Sequence, residues 1–135
     1  MEQADLRSWE RQCTQDDMPK CRAACPLQMD VRPFLERMAH GDMPGARKVL
    51  ERHLPLPGVL GRICEHPCET ACVRQGLGGP LAVGALERAC VSQCPQQTRN
   101  LPRPPKSKKV AVIGDGMAGL VAAWDLSRKA YPVDL

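Results

Sequence analysis

The sequence predicts a mainly α chain: a helical, cysteine-bearing domain followed by the opening of a parallel βαβ unit. Three observations predict it. All eight Cys lie in residues 1–94, among apolar residues at helical spacing and without a convincing alternating strand. Residues 95–108 hold four Pro and several cations with little apolar material, so they read as an exposed, semi-extended linker. Residues 109–135 then change character, with a β-branched run, a glycine cluster and an Ala/Leu-rich segment.

The elements follow in order. Asp30 is placed to N-cap a helix over 31–40, with Phe34, Leu35 and Met38 on one face and Gly41 as its stop. A second helix is expected over 44–53, with Ala46, Val49 and Leu50 inward and Pro55 and Pro57 ending it. A third starts near Pro67, a residue suited to the first helical position, and stops by Gly76. A fourth spans 83–93. Lys109 to Ile113 reads as a buried parallel strand, residues 120–128 as a helix, and Tyr131 to Leu135 as the opening of a second strand.

Composition limits what such a chain does. It has 135 residues with only 2 Trp, 1 Tyr and 1 Phe, so aromatics cannot dominate its core. A short chain with little apolar surface to bury often needs a metal, a disulfide or a partner as a staple. No apolar run approaches the roughly 20 residues that span a bilayer, which excludes membrane insertion. Met1 to Glu10 is polar and shows no secretory signal. The net charge of +4 is too mild to imply nucleic acid. A cytoplasmic location is therefore expected, and in a reducing compartment metal ligation or redox chemistry explains Cys better than a disulfide framework does.

The cysteines form three groups: Cys13, Cys21 and Cys25 before Pro26; Cys64, Cys68 and Cys72 at Cys-x3-Cys spacing; and Cys90 and Cys94 before Pro95. Iron–sulfur clusters need converging thiolates, and closely spaced Cys ending in Cys-Pro is one way to supply them. Cys68 is expected in the first turn of the third helix, where the positive helix end favours a thiolate. The rival readings are buried small residues on helix faces, a structural zinc and a disulfide scaffold. Zinc prefers Cys-x2-Cys knuckles, often with His, and this chain has none; His66 beside Cys64 and Cys68 is the nearest approach to that pattern. Met18, Met29, Met38 and Met43 read as core filling rather than as ligands. Arg103, Lys106, Lys108 and Lys109 read as a solvated basic segment.

Cys21-x3-Cys25-Pro26, the stretch HGDMPGARKVLERHLPLPGVLGRICEHPCETACVRQG and the following LAVGALER resemble the N-terminal iron–sulfur domain shared by three enzymes. These are the glutamate synthase small subunit, dihydropyrimidine dehydrogenase and the large subunit of NADH-dependent ferredoxin:NADP oxidoreductase. The resemblance covers nearly the whole chain. It implies a helical, two-cluster ferredoxin-like domain with two [4Fe–4S] clusters, exchanging electrons with FAD in the domain that follows. It also implies an interleaved ligand pattern, with Cys25, Cys64, Cys68 and Glu87 on one cluster and Cys13, Cys21 and Cys72 on the other. This chain departs from the family twice. Asp16 stands where a Cys is usual, and Cys90 and Cys94 are additional. Cys90 or Cys94 is therefore a candidate for the missing thiolate.

Gly114-Asp115-Gly116-Met117-Ala118-Gly119 lies between the predicted strand and helix, the context in which Gly-x-Gly-x-x-Gly signifies a dinucleotide site. Gly114 permits the tight turn, Gly116 lets backbone approach a pyrophosphate, and Gly119 lets the helix lie close to the strand. The family usually has Pro where Met117 stands. One βαβ fragment cannot close a parallel sheet, so 109–135 is expected to be the start of a Rossmann domain, and catalysis is not expected to be complete within 135 residues.

The resulting expectation is an electron-transfer module of an NAD(P)H- and FAD-dependent oxidoreductase, working with partner redox subunits in a complex. Arg62 and backbone amides at helix starts would tune its clusters. The alternative is a non-catalytic docking or assembly module held by a structural iron–sulfur or zinc site. A flavin protein with incidental Cys is a third reading.

Overall fold

A computed structural model describes residues 18–95 and 104–135. Contacts divide the chain into two units, residues 1–96 and residues 97–135. Cys13, Asp16 and Arg103 lie outside the described residues.

The regular structure of the first unit is all helical among the described residues. Its helices are α1 (Lys20–Ala24), α2 (Val31–Ala39), α3 (Met43–His53), α4 (Pro57–Ile63), α5 (Pro67–Thr70) and α6 (Val83–Gln93), with a 3₁₀ turn at Gln75–Leu77. Helices α2, α3 and α6 lie where periodicity puts them. Two short helices, α1 and α4, were not expected. Pro57 does not end a helix; it occupies the first turn of α4, where its missing N–H costs nothing. The third expected helix is shorter than predicted, because four residues from Pro67 give way to a turn before Gly76.

Local chemistry explains the joints. Gly41 takes φ +72°, the left-handed conformation that ends α2. Asp42 then caps α3: its Oδ1 accepts the Gly45 N–H at 2.9 Å while Arg37 holds Oδ2 at 2.7 Å. These bonds hold the Asp42 carboxyl below its usual value. Asp30 precedes α2 but its side chain caps nothing; it pairs with Arg22 at 3.4 Å instead.

Helix α3 packs against α2 and α6, α6 packs against α4, and α1 packs against α5. The core holds Met29, Val31, Phe34, Ala46, Val49, Leu50, Leu54, Val83 and Cys90. Full burial of residues such as Phe34 and Leu50 contributes about 1.5–3 kcal/mol each. Cys21, Cys25 and Cys68 pack against the margin of this core, so the apolar cluster and the thiol-bearing segments share one scaffold. Met29 is buried and Met38 packs on the core, but Met18 is exposed and fills nothing.

The second unit is a βαβ. Strand β1 (Val110–Ala111) pairs in parallel with β2 (Val133–Asp134), with Val110 opposite Val133, and α7 (Met117–Arg128) connects them. The strand is shorter than the apolar run, and Ile113 is fully exposed beyond it. The helix starts at Met117, three residues before the expected Leu120, so it begins inside the glycine motif. Lys109 pairs with Asp134, and Lys106 lies over the Tyr131 ring, so part of the basic segment folds onto its own unit.

Candidate metal centre

Thiols and carboxylates from several helices lie within electrostatic reach of Cys68. Cys25 caps the C-terminus of α1, Cys64 caps that of α4, and Cys68 sits in the first turn of α5. Glu87, on α6, is buried to 8% exposure. Burial first, then the charges of Glu87, Cys25, Glu69 and Cys64, push the Cys68 thiol up to about 12. Burial and Glu69 together push the Glu87 carboxyl up to about 7, against the opposing pull of Arg88.

These shifts correct the sequence expectation for Cys68. A four-residue helix offers little dipole, and the dominant influences are desolvation and neighbouring negative charge. The thiolate is therefore not favoured by the protein alone. Cys68 and Glu87 would ionise fully beside a cationic centre, and bound iron would supply one, so the donor set fits a group with iron and sulfur.

Cys64 and His66 add a further contact. The His66 backbone N–H donates to Cys64 Sγ at 3.3 Å, a bond of the kind that tunes cluster potentials. His66 adopts φ +54° just before Pro67, an uncommon conformation for a residue with a side chain. Its ring packs onto Gly84, and a methyl group there would overlap the imidazole. Glu69 completes the joint: its Oε1 accepts the Gly84 N–H at 2.8 Å. So α5 is fastened to the start of α6, one turn before Glu87.

Cys21 lies in α1, which packs on α5, and Cys72 follows α5, its N–H donating to Glu69 O at 3.1 Å. Both are half-buried. Cys90 and Cys94 have different neighbours. Cys90 is fully buried and approaches Met43 O at 3.8 Å, and its thiol is pushed up by burial and by Cys94, with Arg47 opposing. Arg47 is itself buried to 7% exposure and bonds Glu51 at 2.8 Å. Although Glu87 and Cys90 are one turn apart on α6, Glu87 faces Cys68 and Cys90 faces α3.

None of the described cysteines Cys21, Cys25, Cys64, Cys68, Cys72, Cys90 and Cys94 forms a disulfide. Among the described residues, no three His, Cys, Asp or Glu side chains close on a point as one metal ion would require. His66 Nε2 is buried without a hydrogen-bond partner and turned onto Gly84.

In the second unit, Gly114 takes φ +112°, and a Cβ at Gly119 would strike the Gly114 carbonyl. These are the turn and the close helix approach expected of the motif. Gly116 caps α7 and nothing stands against it.

Residues 2–99 match the family model described as dihydropyrimidine dehydrogenase domain II, 4Fe-4S cluster. The chain belongs to that family. The domain II family is thus a 4Fe–4S domain, and relatives carry it within larger proteins. The β subunit of an NADPH-Fe(3+) oxidoreductase of Geobacter sulfurreducens is 33% identical over 119 residues, covering 83% of this chain and 17% of the relative. The NAD-dependent dihydropyrimidine dehydrogenase subunit PreT of Escherichia coli is 34% identical over 120 residues, covering 85% and 29%. The glutamate synthase [NADPH] small chain of Mycobacterium tuberculosis is 30% identical over 131 residues, covering 95% and 27%. The chain spans less than a third of the length of these relatives. Among the described residues, no helix is long and apolar enough to cross a membrane.

Sequence reading named Cys25, Cys64, Cys68 and Glu87, and the charges of the other three act on Cys68. It missed Glu69, Gly84 and Arg47. Gly-Ala-Leu-Glu looks like ordinary helix, and only contact with His66 shows why Gly stands at 84.

Proposed function

We propose that the chain is the electron-transfer module of an NAD(P)H- and FAD-dependent oxidoreductase, holding two [4Fe–4S] clusters between a flavin and a partner redox subunit. The observation that carries this reading is the 4Fe-4S family match over residues 2–99, and the burial and neighbouring charges of Glu87, Cys25, Glu69 and Cys64 that act on Cys68 support it. Cys25, Cys64, Cys68 and Glu87 would hold one cluster. Cys13, Cys21 and Cys72 would hold the other, completed by Asp16, Cys90 or Cys94. Bound clusters would supply one-electron chemistry; the chain's part is to fix their spacing and to surround them with apolar core and backbone donors.

The Gly114 turn and the close approach at Gly119 support a dinucleotide phosphate site in the second unit, with Gly116 open to a ligand. FAD is the ligand proposed for it, in the complete protein. NAD(P)H is the proposed two-electron partner, in keeping with the cofactors printed in the relatives' names.

Anaerobically purified protein tests the reading. The expected result is broad visible absorption that bleaches on dithionite and returns on oxidation, with EPR signals in the reduced form. A colourless protein with stoichiometric zinc would instead support a structural metal and the assembly role.

A further inference from the structure

We propose that the exposed face of α4, with Arg88 of α6 beside it, docks an acidic one-electron protein and passes the electron at the Cys64 edge. This rests on the reading of Cys64 as a cluster ligand.

Cys64 is the one exposed cysteine among those described. It caps the C-terminus of α4 and follows the exposed Ile63 directly, so it stands at the end of that face. The helix turns its buried residues, Pro57 and Gly61, inward, and Gly61 meets Arg88 and Glu87 of α6. Val59 and Ile63, one turn apart, face solvent at 43% and 60% exposure. Helix periodicity puts them on one side, and Ile63 directly precedes Cys64.

Charge indicates the occupant. Arg62 Nη1 is bonded to Gly58 O, and Arg88 Nη1 to Gly61 O at 3.0 Å. Both guanidinium groups are thereby held against α4, and each keeps further donors free. From Pro57 to Cys64 there is no acidic residue; Glu65 is the exposed acid that follows. An apolar centre with fixed cations at its rim fits the small, transient interfaces of electron carriers. The complementary partner carries carboxylates around an apolar redox edge. One electron leaves the reduced chain and enters the partner's metal, with no proton or bond exchanged.

The full chain tests this. It is reduced anaerobically with dithionite, freed of excess reductant and mixed with oxidised cytochrome b5, an acidic acceptor whose haem passes from Fe(III) to Fe(II). The expected second-order rate falls with rising salt. Arg62→Glu with Arg88→Glu slows it roughly 10-fold or more and reverses the salt dependence. Val59→Ser with Ile63→Ser slows it without changing the salt slope. Lys48→Glu, on the exposed side of α3, leaves it unchanged. Oxidation by benzoquinone, small and neutral, stays at the parent rate in the Val59→Ser/Ile63→Ser and Lys48→Glu variants; in the arginine variant any change is smaller than that with cytochrome b5 and independent of salt, which separates a shifted redox centre from lost docking.

Parent rates with cytochrome b5 in both α4 variants would overturn the inference, as would faster reduction of basic cytochrome c that is sensitive to the same substitutions. Protection of Ile63 from hydroxyl radicals in the chain alone would also overturn it. That result would mean that the face is covered by the chain itself or by a second copy. These outcomes leave the two-cluster reading standing. A chain that accepts no electrons from dithionite would bring down both.

Discussion

The backbone N–H of Gly84 donates to the Glu69 carboxylate at 2.8 Å, joining the segment that carries Cys68 and Cys72 to the helix that carries Glu87. The His66 ring packs on the same glycine. Four residues of helix cannot hold Cys68 in place by themselves, so the joint at Gly84 does it by fixing α5 to a longer element.

Gly84→Ala is therefore expected to be poorly tolerated. The added methyl overlaps the imidazole, and overpacking of this kind costs about 1–3 kcal/mol. Thermal unfolding of the anaerobic protein should show the loss, together with reduced iron content. Parent-like melting and iron content would show that α5 can move aside freely.

Glu69→Ala and Glu69→Gln separate hydrogen bonding from charge. The alanine variant leaves the Gly84 N–H unpaired in a buried position, at a cost of about 1–3 kcal/mol. Glutamine keeps an acceptor and removes one of the negative charges acting on Glu87 and Cys68. Urea unfolding should place Glu69→Gln well above Glu69→Ala. Equal midpoints would exclude the bond as the stabilising feature.

Phe34→Ala is expected to cost about 3–5 kcal/mol, because the ring is fully buried among Val31, Ala46 and Leu50. Cys21, Cys25 and Cys68 pack on that core, so iron retention should fall along with the urea midpoint. A stable variant with full iron would mean that cluster binding alone organises the first unit.

Asp42 predicts an acid limb. Its carboxyl is held below 3.8 by the Gly45 N–H first and by Arg37 second. A depressed folded value gives stability that is present above pH 3.8 and lost as pH falls through the lower folded value. Asp42→Asn keeps a capping oxygen but not the charge. The urea midpoints of parent and variant should differ at neutral pH and converge in acid. A constant difference would assign the effect to capping alone.

Much of this was readable in advance because helix periodicity is strong where the core is made. Phe34, Ala46, Val49, Leu50 and Val83 follow it, and the helices they belong to lie where expected. The strand–glycine–helix order of residues 109–128 was readable for a similar reason, since Gly114 and Gly119 are demanded by local backbone geometry. The short helices α1 and α4 were hidden by Pro19 and Pro57, which look like terminators but serve as starts. The state of Cys68 was hidden as well. Its position follows from Pro67, whereas its environment depends on Glu87, Cys25, Glu69 and Cys64, contributed by other segments. The role of Gly84 exists only once His66 lies against it.

The central claim is that thiols from distant stretches, with Glu87, cage iron and sulfide. Iron and acid-labile sulfide per chain, with EPR of the reduced form, tests it most directly when parent and Cys68→Ser are compared after anaerobic purification. The account predicts about eight iron and eight sulfide in the parent, with interacting signals, and about four of each in the variant, with one signal left. A parent with four or no iron, or a Cys68→Ser variant that keeps all eight, would contradict it.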